Sequence, residues 1–86
     1  NYWDEFLEQF NKTEPGFINL LQTKYPQLTI NEVRLCSLIR IGIENKAISS
    51  ILQVSPSAIE KARYRIRKKI NLSPQTSLDK AIFEII

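Results

Sequence analysis

The sequence lacks histidine entirely, and it contains a single cysteine, Cys36, and two glycines. Without histidine the chain has no side chain whose ordinary pKa lies near neutrality, which is the usual choice for a general base. One cysteine cannot form an internal disulfide, and without histidine it cannot supply the four ligands of a structural zinc site. Two glycines are too few for a glycine-rich phosphate-binding loop. We therefore expect no enzymatic activity, no cofactor and no bound metal.

Long apolar runs are also missing, so we expect neither a membrane span nor a signal peptide. Methionine is absent, even at residue 1. We therefore expect the chain to be part of a longer protein.

What the sequence does contain is the composition of one small globular domain, with 86 residues of which 43% are apolar and 24% are charged. Short turn signals divide it, and no stretch shows sustained period-two alternation, so we predict an all-α fold. The turn signals are Pro15-Gly16, Pro26, Gly42, Ser55-Pro56 and Ser73-Pro74.

The apolar spacing predicts six helices, at about residues 2–11, 14–24, 28–42, 45–52, 56–71 and 77–86. Four of them have sequence signals for an N-cap: Thr13, Thr29 with Glu32, Ser55, and Thr76 with Asp79. The predicted inward residues are Trp3, Phe6, Leu7 and Phe10, then Phe17, Leu20 and Leu21, then Leu35, Cys36, Leu38 and Ile39, then Ile48, Ile51 and Leu52, and finally Ile59, Ala62, Ile66 and Ile70.

The net charge of +3 is unevenly distributed along the chain. Residues 1–43 carry four basic and five acidic side chains, whereas residues 44–86 carry eight basic and four acidic ones. Six of the basic residues lie within Lys61–Lys69, which contains no acid. Such asymmetry indicates a polyanionic partner, and its simplest alternative is a solvated helix face.

Two helices joined by the three-residue turn Gln53-Val54-Ser55, with the second helix strongly basic, are typical of a DNA-binding helix-turn-helix. Residues 28–72 resemble the C-terminal DNA-binding domain of LuxR/GerE-type transcriptional regulators. The matching residues are Leu28-Thr29 with Glu32, Gly42, Asn45-Lys46, Ile48, Leu52 with Val54-Ser55, Ile59, Ile66, Lys69 and Ile70.

The chain departs from the usual pattern at several positions. Gln53 stands at the turn position that is often glycine, Ala47 stands where the family usually has an acidic residue, and Ser49 and Arg40 stand where it usually has a small one. Glu60 and Ala62 stand where lysine and histidine are frequent. The resemblance implies a helix-turn-helix output domain in residues 28–86, within the winged-helix-like superfamily, preceded by a two-helix extension in residues 1–27. It also implies a sensor or repeat domain upstream of that extension. Because residues 1–27 hold many large apolar side chains, we expect the extension to pack on the domain.

If residues 56–71 form the recognition helix, the side opposite Ile59, Ile66 and Ile70 faces the major groove of duplex DNA. The helical spacing then predicts base contacts from Lys61 and Tyr64, and the family position adds Glu60. The predicted phosphate contacts are Lys46, Ser57, Arg65 and Lys68. By the same spacing, Arg63 and Arg67 lie at the sides and support the fold.

The residues predict a DNA-binding domain, and the resemblance implies that it is the sequence-specific output domain of a bacterial transcriptional regulator, such as a response regulator. The resemblance implies a cytoplasmic, nucleoid-associated location, on the cytoplasmic side if the full protein is membrane-anchored. It also implies homodimer contact through the last helix, where Phe83 and Ile86 point away from the apolar face.

Two alternatives stay open: a promoter-reading domain like that of a sigma factor, and a helical module that docks on an acidic protein or an anionic membrane. The narrow apolar stripe without an aromatic anchor argues against the membrane.

Overall fold

The computed structural model describes residues 2–85, and within them the chain forms six helices and no strand. The predicted all-α class is therefore confirmed. The helices are α1 (Tyr2–Thr13), α2 (Phe17–Lys24), α3 (Ile30–Arg40), α4 (Asn45–Leu52), α5 (Pro56–Lys69) and α6 (Leu78–Phe83). None of the helices within residues 2–85 has the length and apolar character needed to cross a membrane.

Helix α3 is the central element of the fold. It contacts α2 and α6, while α4 and α5 pack on each other. Seven residues of α3 are buried, five of them apolar and two of them, Glu32 and Ser37, polar. All six helices contribute to one core, whose apolar members are Phe10, Phe17, Leu21, Val33, Leu35, Cys36, Leu38, Ile39, Ile48, Ile59, Ile66, Ile70, Leu78 and Ile82.

The predicted start of the second helix was wrong. Helix α1 continues through Thr13, whose hydroxyl donates to the Gln9 carbonyl at 3.2 Å and is therefore not the cap of α2. The chain then turns at Gly16, which adopts a left-handed backbone with φ of +84°. Glycine takes this conformation without the steric cost that a Cβ brings. Helix α2 consequently begins three residues later than predicted, at Phe17.

Helices α3, α4 and α5 end in the same motif, in which a left-handed residue lets two backbone N–H groups bond back to the last turn. After α3 this residue is Gly42, as the sequence predicts; its N–H donates to Ile39 and the next N–H, of Ile43, donates to Leu38. After α4 it is Gln53, with φ of +57°, and after α5 it is Asn71, with φ of +58°. In the turn between α4 and α5, Gln53 therefore adopts the left-handed backbone conformation that favours glycine.

Two predicted inward residues were wrong, because Leu20 and Ile51 are 38% and 52% exposed. In each short helix, a pair four residues apart takes the inner face, and the residue before the second member of the pair points outward. In α2 that pair is Phe17 with Leu21, and in α4 it is Ile48 with the partly buried Leu52.

The last helix is shorter than predicted and has a different cap. The Ser77 hydroxyl accepts the Lys80 N–H at 3.0 Å, whereas the Thr76 hydroxyl pairs with the Ser73 hydroxyl. The C-terminal carbonyls of Ile82 and Phe83 accept from the Arg40 guanidinium, and α6 ends there. Similarly, α5 ends at Lys69, before the predicted Asn71.

Candidate nucleic-acid interface

Helix α5 is fixed at its start and along its inner side. The Ser55 hydroxyl caps it by accepting the Ala58 N–H at 3.1 Å, and Pro56 occupies the first helical position, where its missing N–H costs nothing. Ile59 and Ile66 are buried in the core. The opposite side of the helix therefore faces solvent.

The outward side of α5 carries a stripe of four exposed residues, which we call the outer stripe: Ser57, Lys61, Tyr64 and Lys68. Tyr64 is 59% exposed, and the Lys68 Nζ lies 5.0 Å from the centroid of its ring. A hydrogen bond with the Tyr64 side chain raises the pKa of the Lys68 ammonium. The lysine is therefore fully charged beside an exposed aromatic ring at neutral pH.

The cations at the sides of α5 are bound within the fold, as their spacing predicts. Arg63 donates to the Asn45 side-chain oxygen at 3.3 Å and forms an ion pair with the Asp79 carboxylate. Arg67 donates to the carbonyls of Thr76 at 2.6 Å and Ser73 at 2.9 Å. These two arginines connect α5 to α4, to the loop before α6 and to α6 itself.

Lys69 is also bound, to a buried carboxylate at the start of α3. Glu32 is 3% exposed, and it accepts from the Lys69 Nζ at 2.7 Å and from the Thr29 N–H at 2.8 Å. Burial by itself raises the pKa of Glu32, but the hydrogen bonds from Lys69 and Thr29 outweigh it and lower the pKa below its ordinary value. The capping box of Thr29 and Glu32 was predicted from the sequence and is confirmed; its bond to Lys69 was not predicted.

Two of the predicted contact residues lie beside the outer stripe and have partners within the chain. The Arg65 Nε lies 3.6 Å from the Glu32 carboxylate, with the arginine side chain 57% exposed, so Arg65 leans toward α3. Glu60 accepts from the Asn45 side-chain nitrogen at 3.0 Å, so it leans toward the start of α4. The structure thus brings Ser57, Lys61, Tyr64 and Lys68 together and holds Arg65 and Glu60 on opposite flanks.

The N-termini of α4 and α5 both offer backbone donors. Glu44, at the N-cap of α4, makes no side-chain cap, and the exposed Lys46 is the second residue of that helix. In α5, the N–H of Ser57 is the donor of the first turn that has no partner within residues 2–85. Free N–H groups at a helix start favour an anion.

Within residues 2–85, few side chains are placed to bind a metal ion or to act as a nucleophile. Residues 2–85 contain no group of three or more His, Cys, Asp or Glu side chains arranged to hold a metal ion. Cys36 is fully buried, and burial raises the pKa of its thiol to about 12, which makes it an inert core residue as the sequence predicts.

The role of Arg40 was not predicted from the sequence. Its guanidinium bonds the Glu14 carboxylate at 2.9 Å and the carbonyls of Ile82 and Phe83 at 2.8 and 2.9 Å. It also lies 5.0 Å from the centroid of the Phe17 ring. One side chain therefore connects the α1–α2 turn, α3 and the end of α6. No local signal marks such a residue, because its partners are distant in the sequence.

A second surface feature is an apolar groove of about 480 Å³ between α1, α3 and α4. Its walls include Trp3 and the exposed Ile41 and Ile51, and Arg34 is the one charged residue that the described part of the chain contributes to its lining. The Arg34 guanidinium lies 5.0 Å from the centroid of the Trp3 ring, and its Nε is buried without a hydrogen-bond partner in residues 2–85.

No family model, no curated protein and no solved structure matches this chain. The resemblance to LuxR/GerE regulators therefore stays a prediction, and a function has to be argued from the residues and geometry of the chain itself.

Proposed function

We propose that the chain is a sequence-specific DNA-binding domain of a bacterial transcriptional regulator, similar to LuxR/GerE output domains, with α4 and α5 as its helix-turn-helix. The observation that carries the proposal is the outer stripe. Its lysines and tyrosine are exposed on a helix whose opposite side is anchored in the core, and Arg63, Arg67 and Lys69 of the same helix are already bound within the fold.

The proposed reading mode places the N-terminal half of α5 in the major groove, as in other helix-turn-helix proteins. Lys61 and Tyr64 then reach base edges, and Lys61 suits the acceptors that guanine presents there. Glu60, one residue before Lys61, is proposed to accept from a cytosine amino group.

Contacts with the phosphate backbone lie on either side of the base-contacting residues of α5. We assign them to Lys46 and Ser57, which combine a side chain with free N–H groups at a helix start, and to Lys68 and Arg65 farther along α5. Arg65 remains in the set because its side chain is mostly exposed and its distance to Glu32 leaves the guanidinium room to turn.

The remaining parts of the proposal concern assembly. Residues 1–27 are proposed as an extension of the DNA-binding domain in residues 28–86, supported by the buried Phe10, Phe17 and Leu21. Phe83 on α6 is 48% exposed and is the proposed dimer contact, whereas the second predicted contact, Ile86, lies outside the described residues. The chain is proposed to act without enzymatic activity and to serve an upstream sensor or repeat domain in the cytoplasm.

The test is a titration with mixed-sequence duplex DNA at two salt concentrations, followed by selection from a randomised duplex pool. Contact with several phosphates gives a steep fall of log affinity with log salt, and base reading gives one enriched sequence. Negligible DNA affinity at low salt would refute the proposal. Binding without an enriched sequence would refute its specificity.

A protein-docking module is the second candidate, and the groove around Arg34 is the observation that favours it. A guanidinium among apolar and aromatic walls suits a partner carboxylate flanked by apolar side chains. If the chain is a docking module, Arg34→Glu should abolish binding of the partner protein. A docking function alone would give the chain no affinity for DNA.

A further inference from the structure

Three hydrogen-bonded side chains connect Glu60 to both neighbouring helices. Asn45, the first residue of α4, donates from its Nδ2 to the Glu60 Oε1 at 3.0 Å and accepts at its Oδ1 from Arg63 at 3.3 Å. Arg63 in turn forms an ion pair with Asp79 of α6. The order along this chain of contacts is Glu60, Asn45, Arg63, Asp79.

The two contacts of Asn45 fix which way its amide points. The reversed amide would place Oδ1 against the Glu60 carboxylate and Nδ2 against the Arg63 guanidinium, so both contacts would become repulsive. Arg63 is itself held in place by Asp79, and its side chain is only 18% exposed. Asn45 therefore presents a donor to Glu60 in one defined orientation.

This arrangement limits where the Glu60 carboxylate can lie. An exposed glutamate on a helix samples several rotamers, and ordering it has an entropic cost when it binds a partner. The bond to Asn45 occupies Oε1, whereas Oε2 has no partner within residues 2–85. One acceptor oxygen is thus oriented and left open at the edge of the outer stripe, beside Lys61.

We infer that Asn45 is a positioning residue for sequence recognition: it holds Glu60 so that its open carboxylate oxygen accepts from the amino group of a cytosine in the major groove. This inference rests on the proposed function. It adds the residue that holds Glu60 in place for the proposed C·G pair, and it assigns Arg63 and Asp79 the task of orienting Asn45.

The test compares the base preference of variants of the full chain on a duplex pool with a randomised centre. Wild type should prefer cytosine at the Glu60 position, and Glu60→Ala should reduce that preference by about tenfold. Asn45→Ala should reduce it about threefold, the effect of one hydrogen bond, with preferences elsewhere retained. The effects of the two substitutions should not add in the double variant.

Asn45→Asp separates positioning from a merely structural role. It keeps an acceptor for Arg63 and places an acid at a helix start, so the fold is retained, but it turns a carboxylate toward Glu60. The cytosine preference should fall while the urea unfolding midpoint stays unchanged. Asn19→Ala, an exposed asparagine on α2, is the control and should alter neither.

The outcomes distinguish this inference from the proposed function. If the chain enriches one sequence but the asparagine variants keep the cytosine preference, or weaken all base positions equally, the positioning role is wrong and DNA reading stands. If the wild-type chain binds no duplex DNA, the proposed function fails and the inference fails with it.

Discussion

The six cations between Lys61 and Lys69 divide into two groups that differ in what surrounds them. Arg63, Arg67 and Lys69 each bond to carboxylates, amides or carbonyls within the fold. Lys61 and Lys68 project into solvent on the outer stripe, and Arg65 is intermediate. The number of basic residues in this run is therefore larger than the number that can contact DNA. In this helix half of the run connects α5 to its neighbours, and only the other half is available to a polyanion.

The largest effect separating the two groups is expected for Lys69→Ala. Without this lysine the Glu32 carboxylate stays buried but loses its ion-pair partner. Breaking a fully buried ion pair lowers the unfolding free energy by about 3–5 kcal/mol, and because Lys69 is partly exposed we expect a loss of about 2–3 kcal/mol. Urea unfolding measures it. Lys61→Ala on the outer stripe is the matched control and should change stability by less than about 0.5 kcal/mol. Equal losses from both would remove the distinction.

Neighbouring residues offer a second comparison. Arg67→Ala removes two charge-assisted bonds to the Ser73 and Thr76 carbonyls and should reduce stability by about 2 kcal/mol. Lys68→Ala should leave stability unchanged and instead reduce the slope of log affinity against log salt by about 1. The prediction is contradicted if Lys68→Ala unfolds more easily than Arg67→Ala, or if it leaves the salt slope unaltered.

On DNA, Lys61→Ala should weaken binding to the preferred sequence by about 1–3 kcal/mol and relax the preference at one base position. Tyr64→Ala should weaken binding as well. Circular dichroism checks that both variants are folded, and fluorescence anisotropy with preferred and scrambled duplexes gives the affinities. Unchanged affinity and unchanged preference in folded variants would show that α5 is not the reader.

A substitution in the turn between α4 and α5 should have a smaller effect, and it should raise the stability of the chain. Gln53 has a left-handed backbone, which is unfavourable for a residue with a Cβ. Gln53→Gly should therefore raise the unfolding free energy by up to about 1 kcal/mol without altering DNA affinity. Leu20→Gly, inside α2, is expected to do the reverse, and a loss of stability in Gln53→Gly would contradict the turn geometry.

The pH dependence of stability should report the Glu32–Lys69 pair. The pKa of Glu32 is lowered in the folded chain, so its contribution is complete above the ordinary value of 4.5 and is lost as pH falls through the folded value. Urea unfolding at a series of acidic pH values should show this decline, and Lys69→Ala should show a shallower one. An equal decline in the variant would indicate that other carboxylates cause it.

Local signals predicted much of the fold, and the interactions that were not predicted join residues distant in the sequence. The six helices, the capping box of Thr29 and Glu32 and the stop at Gly42 depend on residues close together in sequence, and all were predicted. The bonds of Arg40 and of Lys69 join residues 26 to 43 positions apart, which no local pattern reveals. The same limit applies to the candidate site: spacing predicted the outer stripe, but not that Asn45 and Glu32 draw Glu60 and Arg65 to its flanks.

The most direct test of the account is a map of amide chemical-shift changes in the ¹⁵N-labelled chain on addition of its preferred duplex. We expect the largest changes at Ser57, Lys61 and Tyr64, with a second set around Lys46. We expect small changes at Arg67 and Lys69, whose charges are already bound within the fold. Changes centred on the Arg34 groove, or equal changes at all six cations of α5, would contradict the proposed DNA-binding mode.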